Sequence, residues 1–523
     1  MGSRCTSLLA AALLSIGCAV SPEERSPAEP RPQNVVLIVL DDVSPGLLGA
    51  YDRHYASLGR PSVGAADTPA IDTLLAARGM TFTRAWANPK CTPTRAQLLT
   101  GLHGLRSGVG QVVMAGNEER TSGLAPSFEL LSTRLAESSA GYATAAVGKW
   151  HLSGVDELAR NPLAPLGEPR GRWFQHYAGS LFNLGEDREA QPEDGGYWRW
   201  EKFHATALGG DARPCGDATL PCTTVEDGRT VAGYPTVDTT DDALALVRAL
   251  PEPWFLYVAY NAVHEPLHHV TLDLPRAPGV EPRAPACDHS DPSDAAMVRC
   301  MMAALDSQLG RLVSALDEQD TTVILVGDNG MAQRAFRPPY MRHHGKGTMF
   351  SGGVEVPLIV RSPTIPAELR GSTSSALALP VDVFATVADL CGVGGDRRES
   401  LSLAPALRGS HKSYRGELYS ERFQPNFFPD AAGRPPADFA GRFHDQALSD
   451  GRFKLIRETS RGEGGEVVRV EQLFAVPQAG EDEDWTERRN LLLPGAEPLA
   501  PAAAEALASL RARLDANYPS LVR

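Results

Sequence analysis

The segment Cys91–Arg95, with the sequence Cys-Thr-Pro-Thr-Arg, places a cysteine at the start of a short predicted helix. Pro93 suits the first helical turn, where its missing N–H is not needed, and Gly101 is a typical stop signal. Because the free N–H groups of a helix start favour negative charge, Cys91 lies where a nucleophile acting on an anionic substrate would lie. A lone cysteine before a helix is, however, more often a small buried hydrophobic residue.

Charged and polar residues follow four predicted strands. Short β-branched or aromatic runs predict buried strands at Val35–Leu40, Tyr142–Val147, Phe255–Tyr260, Thr322–Val326 and Leu358–Arg361. The residues that follow the first four are Asp41 and Asp42, Lys149 and His151, His264, and Asp328 and Asn329. Helical patterns between the strands, among them Thr68–Ala77 and Val298–Leu316, predict an α/β domain with a largely parallel sheet. Ligands bind beyond the carboxyl ends of such strands, so these residues predict one site.

The acidic members of this group favour a metal ion. The adjacent carboxylates of Asp41 and Asp42 cannot comfortably share a buried strand end without a cation. Asp328 and Asn329 add two oxygen ligands, and ligation by oxygen alone suits Ca²⁺ or Mg²⁺. Each pair taken alone is more often a solvated turn. Taken together at one sheet edge, the two pairs predict a metal site.

Beyond about residue 410 the sequence pattern changes. Ala447–Ile456 predicts a hairpin, Val467–Phe474 a strand and Pro501–Leu514 a helix, which together indicate a smaller α+β domain. We therefore predict a catalytic domain over residues 34–410 and a C-terminal small-sheet domain over residues 411–523.

A loop-rich insertion occupies about residues 155–240. It contains five large aromatic side chains, Trp173, Phe174, Tyr197, Trp198 and Trp200. Long insertions at the ligand-binding edge of a sheet are often functional. These aromatic residues either anchor the loop or bind a sugar or aryl group, and the sequence leaves both alternatives open.

The N-terminus predicts an export signal. Arg4 provides a positive charge, and Leu8–Ile16 is an apolar stretch too short to span a bilayer. Gly17 and Cys18 end a predicted signal peptide over residues 1–18, in a pattern similar to that of bacterial lipoproteins. Residues 19–33 predict a disordered tether. A lipid on Cys18, which would anchor a periplasmic protein to the membrane, and ordinary signal-peptide cleavage nearby are both open.

Export makes disulfides reasonable for the later cysteines. Cys215 and Cys222 bracket a loop and form one predicted pair, and Cys287 and Cys300 form a second. Cys391 lies in an apolar helical run and is expected to be a buried free thiol.

The composition, with 42% hydrophobic and 22% charged residues, is that of an ordinary soluble globular protein. The net charge of −14 argues against a nucleic-acid partner, which requires a basic face. Any anionic substrate must therefore be captured by a local cationic pocket, because the overall field repels it.

The motif Cys-x-Pro-Thr-Arg followed by Leu-Leu-Thr-Gly resembles the signature of the type I, formylglycine-dependent sulfatases. Further segments similar to that family are Val147–Leu152, His264–Leu267, Gly345–Gly347 with Gly352–Pro357, and Asp450–Leu455. Of these, His264–Leu267 resembles the arylsulfatase B, or N-acetylgalactosamine-4-sulfatase, branch. The resemblance covers about residues 34–495. It implies an alkaline-phosphatase-like fold, with a large mixed sheet flanked by helices and a smaller C-terminal α+β domain. It also implies hydrolysis of a sulfate monoester, of a sulfated sugar in particular.

The resemblance also implies roles for single residues. Cys91 would be oxidised after translation to formylglycine by a formylglycine-generating enzyme. The implied calcium ligands are Asp41, Asp42, the modified Cys91, Asp328 and Asn329. The implied catalytic residues are Arg95 and Lys149, which bind the formylglycine hydrate; His151, the base that breaks down the covalent sulfate ester; and His264 and Lys346, which hold sulfate oxygens and assist the departing alcohol.

These residue types suit the chemistry of sulfate esters. A sulfate monoester is anionic and repels a nucleophile, so a metal ion and the cations Arg95, Lys149 and Lys346 would offset the repulsion. A hydrated aldehyde offers two hydroxyls: one attacks sulfur, and deprotonation of the other by His151 ejects sulfate and regenerates the aldehyde. An ordinary serine or cysteine has no second hydroxyl and would stay sulfated. Four other histidines stay outside this core set: His268, His269, His343 and His344.

Three alternatives fit the residues less well. A phosphatase or phosphonate monoester hydrolase of the same superfamily commonly has His after the Asp of the late strand, where this chain has Asn329. An inactive homologue that binds sulfated glycans has no need of a modifiable Cys91. A thiolate hydrolase using Cys91 with a histidine leaves the carboxylates of Asp41, Asp42 and Asp328 unexplained. The expected substrate is therefore a small-molecule or oligosaccharide sulfate ester.

Overall fold

The computed structural model describes residues 33–59, 66–114, 122–154, 173–185, 196–206, 230–270, 274–280, 287–336, 341–410, 415–430, 432–478 and 486–522. The predicted signal peptide, nearly all of the predicted tether, and the predicted pair Cys215 and Cys222 lie outside these residues. No helix in the part of the chain that the structure describes is both long and apolar enough to cross a bilayer.

Fifteen strands lie in the described residues. They are β1 (Asn34–Leu40), β2 (Met80–Ala85), β3 (Ala143–Gly148), β4 (His176–Gly179), β5 (Arg199–Glu201), β6 (Phe203–Thr206), β7 (Thr230–Ala232), β8 (Trp254–Ala259), β9 (Thr321–Gly327), β10 (Leu358–Arg361), β11 (Ser372–Ala378), β12 (Leu418–Gln424), β13 (Phe443–Ser449), β14 (Phe453–Arg461) and β15 (Val467–Ala475). The five strands predicted from apolar runs are confirmed as β1, β3, β8, β9 and β10, with ends that differ by at most one residue.

The α-helices of the described residues range from one turn to nearly six. They are α1 (Asp52–Ser57), α2 (Cys91–Thr100), α3 (Gly104–Ser107), α4 (Leu131–Ala136), α5 (Pro235–Ala249), α6 (Asp294–Ser314), α7 (Ser351–Val354), α8 (Val381–Leu390), α9 (Ala404–Leu407) and α10 (Pro501–Asn517). The predicted helix at Cys91 is confirmed as α2, and Gly101 ends it in the left-handed conformation.

Nine strands form one mixed sheet in the order β11-β2-β10-β9-β1-β8-β3-β4-β6. The central strands β9, β1, β8 and β3 are parallel, whereas β10 runs antiparallel to both of its neighbours. Leu40 pairs with Gly327, and Gly148 pairs with Ala259. The residues that follow these four strands therefore leave the sheet at nearly the same level.

Both faces of the sheet are buried. Along β1, Val36, Ile38 and Leu40 belong to one apolar core, together with side chains of α5 and α6. The alternate residues of β1 belong to a second core, with side chains of α2 and α8. A strand covered on both faces is apolar along its whole length, which is why β1 was predictable from the sequence.

The predicted helix Thr68–Ala77 is not a regular α-helix. It contains a π-helical turn at Ile71–Leu75 and a 3-10 turn at Ala76–Arg78. Asp306, on α6, accepts hydrogen bonds from the backbone N–H groups of Ala70 and Ile71, at 2.9 and 2.8 Å. A carboxylate from a distant helix thus supplies the partner that an internal cap would supply in a regular helix.

The predicted helix Val298–Leu316 is present as α6 but begins four residues earlier. Ser293 precedes its first turn and accepts a hydrogen bond from the N–H of Ala296 through its side chain, at 3.3 Å. Within α6, Cys300 forms the predicted disulfide with Cys287. Cys391 is a buried free cysteine, as expected.

The small C-terminal sheet has the order β12-β13-β14-β15 and is antiparallel throughout. It contains the predicted hairpin and the predicted strand, together with β12, which the sequence did not reveal. Helix α10 packs on this sheet, and Leu510 and Leu514 share an apolar cluster with Leu455 and Leu473. The fold thus combines a large mixed sheet flanked by helices with a small antiparallel sheet, as predicted.

Candidate active site

Cys91 is the first residue of α2, and no part of it is exposed. The loop before α2 is fixed by Thr94, whose hydroxyl accepts a hydrogen bond from the N–H of Asn88 at 3.0 Å. The thiol of Cys91 lies near one carboxylate oxygen of Asp41 and one of Asp328, and the three atoms are all within 4.8 Å of one another. The predicted nucleophile and two predicted metal ligands therefore share one site.

The strand ends carry the other predicted residues in strained conformations. Four non-glycine residues of the described chain have a positive φ, and two of them are Asp42, at 61°, and His151, at 59°. Such a backbone conformation costs of order 1–3 kcal/mol and persists where the surroundings impose it, often at functional sites. Two of the predicted site residues thus have the kind of backbone conformation that is often found at functional sites.

Gly148 makes the turn into Lys149 possible. It ends β3 with a φ of +85°, and a Cβ at this position would lie 2.0 Å from the carbonyl oxygen of Ala259. The N–H of Lys149 donates to that same carbonyl at 2.8 Å. Only glycine allows β3 and β8 to approach so closely where the chain leaves the sheet.

Each buried cation of the site pairs with a carboxylate. Arg95 donates to Asp328 Oδ2 from Nε at 3.0 Å and from Nη2 at 2.8 Å, and its Nη1 donates to the carbonyl of Lys149. The ammonium of Lys149 lies 2.5 Å from Asp41 Oδ2. The ammonium of Lys346 lies 2.5 Å from Asp42 Oδ1, an oxygen that also accepts from the amide of Asn329. Each cation thus pairs with one of the two oxygens of its carboxylate.

Three oxygens of these groups have no hydrogen-bond partner among the described residues, whereas Asp328 Oδ1 accepts from the N–H of Asp42 at 3.3 Å. Asp41 Oδ1, Asp42 Oδ2 and Asn329 Oδ1 are buried and accept no hydrogen bond from the described residues. Calcium binds oxygens at 2.3–2.6 Å, so ligand atoms around one ion lie within roughly 5 Å of each other. The candidate ligand atoms of Asp41, Cys91 and Asp328 lie within 4.8 Å of one another, which agrees with this limit. The residues present therefore fit a hard divalent cation.

The charges of the carboxylates are strongly coupled. Burial opposes the ionisation of Asp41, but Lys149, His264 and Arg95 outweigh it and hold the pKa of Asp41 below its ordinary value. Burial, together with the charge of Asp41, raises the pKa of Asp328 well above its ordinary value. A further cation would favour the ionised form of both groups, which is a second reason why a metal ion suits the site.

Burial lowers the pKa of both predicted catalytic histidines. His151 donates from Nε2 to the carbonyl of Val113 at 3.1 Å, which leaves the buried Nδ1 without a partner and free to accept a proton. Burial, with the charges of Lys149 and Arg95, holds the pKa of His151 well below its ordinary value. His264 donates from Nδ1 to the carbonyl of Glu265, and burial lowers its pKa to about 4.

All the predicted site residues come together at this edge of the sheet. They are Asp41, Asp42, Cys91, Arg95, Lys149, His151, His264, Asp328, Asn329 and Lys346. The sequence analysis did not identify the carbonyl of Val113 as the hydrogen-bond partner of His151, because a backbone carbonyl has no signature in the sequence. It also missed Tyr197, whose hydroxyl donates to the carbonyls of Asn261 and His264 and fixes the loop that carries His264.

The aromatic residues of the insertion anchor it. Trp173 is buried, packs on Trp150 and donates from its indole N–H to the carbonyl of Phe128. Tyr197 and Trp198 pack around His268, one of the histidines left outside the core set. Of the others, His269 contacts the Cys287–Cys300 disulfide, and His344 stacks on Phe350. The two alternatives for the aromatic residues are thus resolved in favour of packing for the buried ones.

The sequence matches the Sulfatase family model over residues 33–393. It is 30% identical over 398 residues to the N-acetylgalactosamine-6-sulfatase of Sus scrofa, covering 72% of this chain and 66% of that protein. It is 28% identical over 422 residues to arylsulfatase A of Homo sapiens, covering 77% of this chain and 72% of that protein. The chain thus spans about two thirds of the length of these relatives.

The structure is similar to that of a protein solved in complex with its substrate D-glucosamine-2-N,6-O-disulfate. The TM-score is 0.61 at 18% sequence identity, and the match covers 94% of this chain and 99% of that chain. The expected alkaline-phosphatase-like fold is thereby confirmed. None of these three proteins bears the name of the N-acetylgalactosamine-4-sulfatase branch, so that finer assignment stays a prediction from His264–Leu267.

We expect Arg95→Met, in a buffer without divalent cations, to lower the free energy of unfolding by about 3–5 kcal/mol, because it removes the partner of a buried carboxylate. Urea unfolding measures the change. Arg434→Met is the matched control, since Arg434 is exposed and pairs with Asp430 at the surface. It should change the free energy of unfolding by less than about 1 kcal/mol. A loss at Arg95 as small as that of the control would contradict the inferred charge pairing.

Proposed function

Because the chain belongs to the sulfatase family, a family of sulfuric ester hydrolases, we propose that it hydrolyses the sulfate monoester of a sulfated sugar. The nucleophile would derive from Cys91, and the metal would be calcium. The observation that carries this proposal is the position of Cys91 beside Asp41 and Asp328, at an edge of the sheet where buried oxygens lack partners and buried cations are concentrated. A thiol hydrolase would have no use for such a set of oxygen ligands.

The proposed calcium ligands are Asp41, Asp42, Asp328 and Asn329, with an oxygen on the modified Cys91 as the fifth. When bound, calcium would polarise the sulfate and stabilise negative charge on its oxygens. The free oxygens of Asp41, Asp42 and Asn329 are the ones that support this assignment. Zinc, which takes nitrogen and sulfur ligands more readily, suits this oxygen-rich set less well.

The cations of the site would bind the substrate anion. Arg95 and Lys149 are fully buried and held by carboxylates, so they present fixed positive charge beside Cys91 and need not reorganise during the reaction. Lys346 is held by Asp42 and lies on the more open side, with 15% of its side chain exposed. We assign Lys346, with His264, to the sulfate oxygens and the departing alcohol.

His151 would act as the base. Its Nδ1 carries no proton in the neutral ring, because Nε2 donates to Val113, and its low pKa keeps the ring neutral at physiological pH. A neutral imidazole beside Cys91 can accept a proton from a hydroxyl on the modified residue. That step requires formylglycine at Cys91, and a formylglycine-generating enzyme is the implied partner during maturation.

The substrate class is the part of the proposal that depends on relatives. The relatives compared above are named for N-acetylgalactosamine 6-sulfate and for aryl sulfates, and we propose a sulfated hexosamine, alone or in an oligosaccharide. The block His264–Leu267 would favour the 4-sulfate. Assay of the purified enzyme on hexosamine 4-sulfates and 6-sulfates distinguishes the two positions, and turnover of phosphate monoesters in preference to both would favour the phosphatase alternative.

Peptide mass spectrometry of the active protein should show residue 91 as an aldehyde or its hydrate. Cys91→Ala should abolish turnover and leave thermal unfolding nearly unchanged, because it removes the nucleophile and changes little volume. Cys391→Ala is the control, since Cys391 is also a buried free thiol but lies outside the site. Full activity in a protein whose Cys91 remains a thiol would falsify the proposed nucleophile.

Metal analysis should find about one calcium ion per chain, since the site offers a single set of oxygen ligands. A chelator should abolish activity and lower the melting temperature, because an ion that binds only the folded state stabilises it. Asp42→Asn should bind less calcium and lose this calcium-dependent stabilisation. Asp382→Asn is the control: Asp382 is also buried but pairs with Arg415 outside the cluster, so its calcium content should stay normal. Stoichiometric zinc with dominant phosphatase activity would contradict the assignment.

We further propose that residues 1–18 direct export and that Cys18 carries a lipid anchor. Stable anchoring requires more than one acyl chain, which bacterial lipoproteins provide. Cys18→Ala should therefore release active enzyme from the membrane fraction without changing its specific activity. A wild-type protein that is already soluble, with a mature N-terminus other than residue 18, would leave simple secretion as the explanation.

A further inference from the structure

Lys90 lies at the opening of the site, directly before Cys91. It is half-buried, whereas Arg95 and Lys149 are fully buried. Its ammonium lies 3.2 Å from the position that a Cβ at Gly347 would occupy, so the absence of a side chain at Gly347 leaves room for it. The N–H of Gly347 donates to the carbonyl of Pro89 at 2.9 Å, which joins the segment of Lys90 to that of Lys346.

Lys90 differs from the other cations of the site because no described residue serves as its counter-ion. Arg95, Lys149 and Lys346 each have a carboxylate partner within 2.8 Å. No ion pair or side-chain hydrogen bond to an acidic residue is found for Lys90 among the residues that the structure describes. Its strongest charged neighbour is Lys346, which repels it.

The composition of the chain makes this position notable. Six of its 50 basic residues are lysines, and three of the six, Lys90, Lys149 and Lys346, meet at this site. The chain as a whole carries a net charge of −14, so this local concentration of lysines contrasts with the overall charge of the chain.

We propose that Lys90 binds a second anionic group of the substrate, next to the sulfate that is cleaved. This inference rests on the proposed sulfatase function and goes beyond it, because it assigns a polyanionic substrate. An anion at Lys90 would offset the repulsion from Lys346 and supply the missing counter-ion. The group is a sulfate or a carboxylate, on the same sugar ring or on its neighbour.

The position of Lys90 separates this role from contact with the cleaved sulfate. That sulfate must reach Cys91, which is completely buried between Asp41 and Asp328. Lys90 is partly exposed and its ammonium lies beside Gly347, the residue after Lys346, so it can contact a part of the substrate that does not enter the buried site. Arg422, the other cation near Gly347, is already bound to Asp445 and to the carbonyl of Gly347. Of these two cations near Gly347, Lys90 is therefore the one that remains available to bind an anionic group of the substrate.

The test compares three substrates that share one cleavable sulfate. The first is a monosulfated hexosamine, the second carries another sulfate on the same ring, and the third is a disaccharide in which the monosulfated hexosamine is joined to a uronate. The variants are Lys90→Met and Lys90→Arg, with Lys202→Met as the control. Lys202 carries the same charge but pairs with Asp238 and Asp242. All activities are normalised to the fraction of Cys91 converted to formylglycine, because residue 90 adjoins the modification motif.

The readout is the ratio of kcat/KM for a doubly charged substrate to that for the monosulfated one. The loss of a charge-assisted hydrogen bond weakens binding by roughly 10–100-fold. Lys90→Met should therefore lower this ratio by at least about 10-fold, mainly because KM for the doubly charged substrate rises. Lys90→Arg should retain most of the ratio, and Lys202→Met all of it. The substrate whose ratio falls identifies the second anion as sulfate or carboxylate.

Two results would overturn the proposal. If Lys90→Met lowers kcat/KM equally for all three substrates, Lys90 acts on the cleaved sulfate or on the fold. If the wild-type enzyme shows no preference for either doubly charged substrate, no second anion is bound. A wild-type enzyme that hydrolyses none of the three would instead refute the proposed sulfatase function itself, so the two failures are distinguishable.

Discussion

The constraint on which this structure depends is the burial of several carboxylates at one edge of a sheet whose faces are both covered by apolar side chains. Asp41, Asp42 and Asp328 are less than about 2% exposed, and ionised groups in such surroundings require compensation. The chain provides it from three separate segments: Arg95 from α2, Lys149 from the end of β3, and Lys346 from the loop before α7. Each cation pairs with one oxygen of a carboxylate, and the oxygens without a partner, on Asp41, Asp42 and Asn329, are the ones left for a metal ion.

The small C-terminal sheet contributes to this arrangement although it carries none of the proposed catalytic residues. Glu487 accepts a hydrogen bond from the N–H of Ser351 at 2.6 Å. It also forms an ion pair with Lys454, on β14, at 2.8 Å. Arg422, on β12, donates to the carbonyl of Gly347. Both contacts hold the segment that carries Lys346, in addition to the hydrogen bond from the N–H of Lys346 to the carbonyl of Met331. The small sheet thus helps to position one of the three compensating cations.

The sequence predicted the central strands and the residues at their ends because both signals are local. The apolar run of β1 and the Asp41 that follows it can be read from the local sequence alone. Parallel strands then bring the ends of such runs to the same edge of the sheet. The contact of Asp306 with the start of the π-helical turn at Ile71–Leu75 could not be predicted, since Asp306 lies more than two hundred residues away in the sequence. The hydrogen bond from His151 to the carbonyl of Val113 could not be predicted either, because a backbone carbonyl has no signature in the sequence. Lys90 was overlooked because a single lysine before the motif becomes informative only when the structure shows that it has no counter-ion among the described residues.

The cations that would attract an anionic substrate also determine the protonation of the site's histidines. Burial and the charges of Lys346 and Lys149 lower the pKa of His264 to about 4, and burial with Lys149 and Arg95 keeps His151 neutral. A bound anion would offset those same charges, so it would raise the pKa of both rings. Each histidine would then accept a proton more readily when the site is filled than when it is empty. His151, proposed as a base, can act in its neutral form, whereas His264 can assist a departing alcohol as a proton donor only after it is protonated. The electrostatics that bind the substrate would in this way link proton transfer to occupancy of the site.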